Sequence, residues 1–166
     1  MILGLSVADY TTVHVLLSVI GLFAGVAIVA AMLADKQSEL GTAVFLCATV
    51  LTSVTGFFFH SARIGPPHIV GVLSLIVLAL ACTALYAFHL KGIWRLVYVV
   101  SALLALYFNA FVAVVQAFAK IAALKALAPA GSEPPFLVAQ LAVLAAFIAL
   151  GIVATRRFRP ALAQPA

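Results

Sequence analysis

Three histidines lie close to the gaps between apolar stretches of this sequence: His14, His60 and His68. Neutral imidazole is a common ligand of transition metals, and two imidazoles on different helices can hold the iron of a b-type haem. The same rings can instead form hydrogen bonds with the oxygen atoms of a quinone or a similar lipid-soluble molecule. The residue types therefore indicate three classes of ligand and do not choose between them.

Amide and cationic side chains accompany the histidines. Arg63 and Lys120 are placed to meet the propionates of a haem, and the amides can form hydrogen bonds with a ligand or between helices. The candidate metal ligands are His14, His68 and His60. The candidate ligand-binding residues are Asn109, Gln116, Gln140, Arg63 and Lys120.

Familiar catalytic motifs are missing from the sequence, which contains no CxxC, no HExxH and no phosphate-binding loop. Its acidic residues, Asp9, Asp35, Glu39 and Glu133, all fall in expected tails or loops. Proton-coupled transport and two-metal hydrolysis depend on intramembrane or paired carboxylates, so both are disfavoured. Whether the protein is an enzyme is left open by the sequence.

The composition indicates that these residues lie in a membrane protein. Of 166 residues, 67% are hydrophobic and 8% are charged, against about 25% charged in an ordinary soluble domain. The net charge is +5, but the cations lie in short gaps between apolar runs, where they contact anionic lipid headgroups. We therefore expect an integral membrane protein with lipids as partners and without a nucleic-acid partner.

Five stretches have the roughly 20 apolar residues that a membrane-spanning helix needs. They run approximately from 12 to 34, 42 to 60, 67 to 90, 93 to 119 and 135 to 157. No segment alternates polar and apolar residues as a membrane β-barrel requires. The prediction is an all-α integral membrane bundle of five transmembrane helices, forming a single domain over residues 1–166.

Five spans place the two termini on opposite sides of the membrane, and the positive-inside rule selects the direction. We predict the N-terminus outside and the C-terminus inside. The richness in Ala, Val and Leu suggests a bacterial source, and therefore the inner membrane. With this threading the six inner cations are Lys36, Lys91, Arg95, Arg156, Arg157 and Arg159, against Arg63, Lys120 and Lys125 outside.

Polar and small residues follow helical spacing on several spans. One stripe is His14, Ser18, Gly21 and Gly25, and a second is Thr49, Ser53, Gly56 and His60. A third, on the fourth span, is Ala105, Asn109, Ala113, Gln116 and Lys120. Because amides and imidazoles avoid lipid, these stripes should face the bundle interior. Asn109 lies about 16 Å deeper than Lys120, near the midplane. The pattern predicts a polar pocket in the outer half of the bundle, and close helix packing within the chain at Gly21 and Gly25.

The stretch "FFFHSARIGPPHIVG" should connect two spans and contribute to the pocket at its far end. Proline is tolerated in a first helical turn, so Pro66 and Pro67 should begin the third helix. His68 would then lie on that turn, at a depth close to that of His14. These two imidazoles form the preferred ligand pair.

The runs "HIVGVLSLIVLA", "ALYFNAFVAVVQAF" and "ALAPAGSEPPFLVAQ" resemble those of a group of small bacterial multi-span membrane proteins. The resemblance covers about residues 42 to 158 and implies no particular activity. It also implies that the position of His60 is often not histidine in that group, which favours His14 and His68 as ligands.

The leading functional hypothesis is a protein that binds a redox-active metal, haem or quinone, perhaps as a subunit of an electron-transfer assembly. The first alternative is a structural or accessory membrane subunit whose buried polar residues fix helix packing. The second is a small transporter or channel, which would need to be an oligomer because no span carries an internal charge. Expected protein partners are thus another membrane protein or further copies of the chain.

Overall fold

The computed structural model describes residues 1–59 and 65–159, and this part of the chain is helical without a β-strand. A π-helical turn, Thr83–Ala87, continues the third helix. Five helices are long and apolar enough to cross a membrane, which confirms the predicted number and indicates a multi-pass membrane protein. The helices are α1 (Val7–Leu33), α2 (Glu39–Gly56), α3 (Pro66–Cys82), α4 (Ile93–Lys120), α5 (Ala122–Leu127) and α6 (Pro134–Arg157), of which only α5 is too short to span.

Local capping explains where the helices begin. The sequence placed the start of the first span near residue 12, but α1 begins at Val7 because the Ser6 hydroxyl accepts the backbone N–H of Asp9 at 3.1 Å. Such N-cap side chains satisfy the unpaired donors of a first turn. The predicted start of α3 is confirmed, since Pro66 and Pro67 occupy its first turn after Gly65.

Two predicted spans extend past the ends of their helices. α2 stops at Gly56 rather than near residue 60, and the helical part of the third span stops at Ala87 rather than near residue 90. His89 and Leu90 have φ angles of +50° and +58°, a left-handed conformation that cannot continue a right-handed helix. His89 is exposed at that end of the bundle, opposite the cavity described below.

The four helices α1 to α4 form a ring. α1 packs against α2, α2 against α3, α3 against α4, and α4 back against α1. α6 lies outside this ring and packs against α4 and α1. Apolar side chains also cover the outside, and Phe23 is 74% exposed, as expected of surfaces that face lipid. A ring of four helices can enclose a cavity to which α6 does not contribute.

Two glycines of α1 permit the close approach of its neighbours. A Cβ atom added at Gly21 would lie 3.0 Å from Thr49 Oγ1 and 3.1 Å from Asn109 Nδ2, and one at Gly25 would collide with the side chain of Leu106. The predicted small-residue contact within the chain is confirmed. Its physical role is to bring α1 against both α2 and α4.

The apolar core fills the end of the ring away from His14 and His68. Phe45, Leu78, Tyr98, Leu106 and Phe158 are almost completely buried there. The opposite end contains the polar stripes and is less densely filled. The buried apolar side chains therefore fill one end of the ring, and the end that contains His14 and His68 keeps a cavity.

Candidate functional site

A partly open cavity of about 130 Å³ lies between α1, α2, α3 and α4. Each of these helices contributes a polar side chain that the sequence had placed on an inward face: His14, Ser53, His68 and Asn109. Apolar atoms of residues such as Phe108 and Val112 complete the wall. The fold therefore brings the two preferred histidines to one cavity.

His14 is half-buried and held in place by α2. Its Nδ1 lies 2.8 Å from the hydroxyl oxygen of Thr55, and the ring of Phe59 packs edge-on with a centroid distance of 5.1 Å. The hydroxyl of Tyr10, one turn before His14, donates to the carbonyl oxygen of Thr55 at 2.8 Å. These contacts fix the ring against α2.

The tautomer of His14 can be assigned from the hydrogen bonds of Thr55. A threonine hydroxyl has a single proton, and the hydroxyl oxygen of Thr55 lies 2.7 Å from the carbonyl oxygen of Leu51 and 3.1 Å from that of Thr52. From these bonds within α2 we assign the lone pairs of Thr55 to the side that faces His14, and the proton of His14 to Nδ1. The other ring nitrogen, Nε2, then carries a lone pair, and no partner for it occurs in the described part of the chain.

His68 has the opposite arrangement. Its Nδ1 accepts the backbone N–H of Gly65 at 3.2 Å, which caps the first turn of α3. In neutral imidazole the proton must then be on Nε2, so this atom is a donor. Phe57 packs nearby, with a ring centroid 6.1 Å from that of His68. Both histidines line the cavity, and on these assignments the second ring nitrogen, Nε2, is an acceptor in His14 and a donor in His68.

Asn109 joins α4 to α1 at the deep end of the cavity. The Ser18 hydroxyl donates to Asn109 Oδ1 at 2.7 Å, and Asn109 Nδ2 donates to the carbonyl oxygen of Ser18 at 3.1 Å. Elsewhere on the cavity wall, the Ser53 hydroxyl donates to that of Ser74 at 3.0 Å and joins α2 to α3. Asn109 is therefore largely committed to helix packing.

Gln116 does not face the bundle, so the prediction of its inward orientation is wrong. It is exposed on α4 and does not contribute to the cavity wall. Its heptad spacing from Asn109 places both on nearly one face of the helix. α1 and α4 are in close contact at Gly21 and Gly25, however, and packed helices generally cross at an angle and separate away from their contact. A face buried at mid-depth is consequently open nearer the helix end.

Gln140 is buried, but away from the cavity. Its Nε2 donates to the carbonyl oxygen of Phe111 at 3.2 Å and joins α6 to α4. Its Oε1 is buried and has no hydrogen-bond partner among the described residues. Because α6 lies outside the ring, Gln140 cannot join the two histidines.

Three predicted site residues do not form part of the site in the described part of the chain: His60, Arg63 and Lys120. His60 and Arg63 lie outside the described residues. Lys120 is exposed in the last turn of α4, where a cation complements the helix dipole. The described site therefore consists of His14, His68 and the walls of the four helices.

Metal and haem fit these residues poorly. Within residues 1–59 and 65–159, no three His, Cys, Asp or Glu side chains are grouped to hold a metal ion. His68 would have to transfer its Nε2 proton and lose its Gly65 bond before Nε2 could bind a metal. A volume of about 130 Å³ is also close to that of a cavity that admits benzene, far short of a tetrapyrrole.

The sequence analysis missed Thr55, Thr52, Ser74 and Phe57. Thr52, Ser74 and Phe57 line the cavity, and Thr55 orients His14. Thr49, Thr52, Ser53 and Gly56 follow the steps of a single helix face, so a wider stripe on α2 could have been recognised. Thr55 carried no such signal, because its role depends on the position of α1.

Comparisons with protein-family models, curated proteins and solved structures find no match to this chain. Any functional conclusion therefore depends on the residues and the geometry described above.

Proposed function

We propose that this protein is a multi-pass protein of the bacterial inner membrane that binds a small lipid-soluble molecule with a quinone-type ring. The observation that carries the proposal is that His14 and His68 line one cavity between four of the apolar helices. Ionisable side chains within membrane spans are costly and are usually kept for function. An electron-transfer assembly is the setting in which such a ligand would be used.

The size and shape of the cavity support a single-ring ligand. An apolar cavity of about 150 Å³ accepts benzene, whereas pockets for drug-sized ligands occupy about 300–1,000 Å³. The cavity here is about 130 Å³ and partly open. A quinone ring can occupy it while an attached tail leaves through the opening, whereas a haem cannot.

The direction of threading is part of this proposal. Positive charge is concentrated at one end of the bundle, where Lys91, Arg95, Arg156, Arg157 and Arg159 lie near helix ends. The positive-inside rule assigns that end to the cytoplasm. The histidine cavity then opens toward the outer side of the membrane.

A reporter enzyme that is active only in the periplasm tests the threading. We expect it to be inactive when fused after Arg159 and active when inserted at residues 131–133, in the loop between α5 and α6. A cytoplasm-active reporter at the same positions serves as the control and should give the opposite pattern. Activity of the periplasmic reporter after Arg159 would reverse the proposed orientation.

Ligand-dependent stability tests the binding site. We expect a short-tailed para-benzoquinone, in its oxidised or reduced form, to raise the melting temperature of the detergent-purified protein, because a ligand that binds only the folded state stabilises it by mass action. His14→Leu should abolish the rise. Gln116→Leu is the matched control, since Gln116 is exposed outside the cavity, and it should retain the full response.

The accessory-subunit alternative is favoured by a different observation. Asn109 and Ser18 satisfy one another through two hydrogen bonds, as expected of residues that only join helices. If neither form of the quinone changes the melting temperature, this alternative replaces the binding proposal. In that case the histidines act through their bonds to Thr55 and Gly65 alone.

A further inference from the structure

We infer that the cavity selects the reduced, hydroquinone form of its ligand over the oxidised quinone. This inference rests on the proposed function and adds the chemical state of the ligand and the residues that determine it. It follows from the opposite tautomers assigned to His14 and His68 from their hydrogen bonds.

The two forms of the ligand offer different hydrogen bonds. A quinone has two carbonyl oxygens, which only accept. A hydroquinone has two hydroxyl groups, each of which donates one proton and also accepts. The difference matters only where the protein presents a fixed donor or a fixed acceptor.

His68 accommodates either form, whereas His14 does not. The Nε2–H of His68 can donate to a carbonyl or to a hydroxyl oxygen. The Nε2 lone pair of His14 can accept from a hydroxyl but would face the lone pairs of a carbonyl. A buried polar group without a partner loses the stabilisation that it had in water. The oxidised ring therefore leaves one oxygen and one imidazole nitrogen unsatisfied.

Thr55 is the positioning residue that maintains this preference. Its hydroxyl does not line the cavity and acts through the Nδ1 of His14. We assign its proton to the carbonyls of its own helix, Leu51 at 2.7 Å and Thr52 at 3.1 Å, so Thr55 would have to break these bonds to donate to His14. Without the hydroxyl, the ring of His14 is free to adopt the other tautomer and donate from Nε2 to a quinone.

The experiment measures the dissociation constants of a short-tailed para-benzoquinone and of its hydroquinone for the full-length, detergent-purified protein by anaerobic calorimetry. We expect the hydroquinone to bind about tenfold more tightly or better. For a two-electron couple, a tenfold preference corresponds to a bound potential about 30 mV above that of the free couple. Equal affinities, or tighter binding of the quinone, would overturn the inference and leave the proposed function standing. Absence of binding by both forms would overturn both.

Thr55→Val removes the hydroxyl and keeps the shape of the side chain and the carbonyl that Tyr10 contacts. We expect this variant to bind both forms with an affinity ratio near one. Thr12→Val is the matched control, because among the described residues the Thr12 hydroxyl is bonded to the carbonyl of Ala8 on its own helix alone, and it should retain the preference. A Thr55→Val protein that keeps the tenfold preference would remove Thr55 from the explanation.

A measurement on the unmodified protein covers the case in which Thr55→Val does not fold. Nitrogen-15 spectra of labelled histidine distinguish the two neutral tautomers. We expect His14 to carry its proton on Nδ1 and His68 on Nε2. A proton on Nε2 of His14 would overturn the inference whatever the variants do.

Discussion

Replacing Arg95 by leucine is expected to lower the free energy of unfolding by about 2–3 kcal/mol, a central value for hydrogen bonds from a charged group. The Arg95 guanidinium, on the first turn of α4, donates through Nη1 to the carbonyl oxygens of Thr155 at 2.8 Å and Phe158 at 2.6 Å. Carbonyls at the end of a helix have no partner within it, so Arg95 satisfies the end of α6. Leucine would leave these acceptors unpaired and detach α6 from α4.

Arg156→Leu is the control for this prediction. Arg156 lies in the last turn of α6, at the same end of the bundle, and is exposed. Its replacement removes the same charge, and we expect a change below about 0.5 kcal/mol, as for other exposed positions. The measurement is unfolding of the purified protein in detergent, with both variants under one condition. Equal losses would show that net charge, rather than the bonds of Arg95, stabilises this end.

Gly25→Ala is expected to destabilise the bundle by about 1–3 kcal/mol, the usual range for overpacking a filled core. The added methyl group would collide with Leu106 and lie 3.0 Å from Phe45 Cε2, so it meets α4 and α2 at once. Neither neighbour can move without disturbing the buried core that both belong to. α1 would therefore have to move away from the ring.

Gly151→Ala provides the matched comparison for Gly25→Ala. A Cβ atom at Gly151 would lie 3.8 Å from Leu103, an ordinary contact. Since alanine favours a helix over glycine by roughly 0.5–1 kcal/mol, this variant should be neutral or slightly more stable. Unfolding in detergent measures both. A Gly25→Ala protein as stable as Gly151→Ala would contradict the close contact at α1.

The inward faces of α1 to α3 could be predicted because imidazole, hydroxyl and small residues avoid lipid and repeat with the helical period. That argument placed His14, Ser18 and Ser53 correctly on the interior. It failed for Gln116, because helical spacing describes a face of one helix and carries no information about where neighbouring helices diverge. Gln140 is buried, as the same argument predicts, but it lies between α6 and α4 and not at the cavity.

The ends of the helices could likewise be predicted from the sequence only in part. Pro66 and Pro67 predicted the start of α3, since proline restricts the backbone locally. The π-helical turn at 83–87 and the left-handed conformations of His89 and Leu90 gave no comparable signal in the sequence. Residues with side chains adopt that conformation only where surrounding contacts compensate for its cost.

The sequence by itself determined the class of the protein: five apolar helices, their approximate positions, and the polar residues that must avoid lipid. These properties follow from the transfer of side chains and backbone groups into an apolar medium, which depends on each segment separately. Only the tertiary structure decided that α1 to α4 close into a ring with α6 outside, and that His14 and His68 share a cavity. It also decided that Thr55 is the partner of His14, because that hydrogen bond joins α2 to α1 and its geometry exists only after the helices have packed.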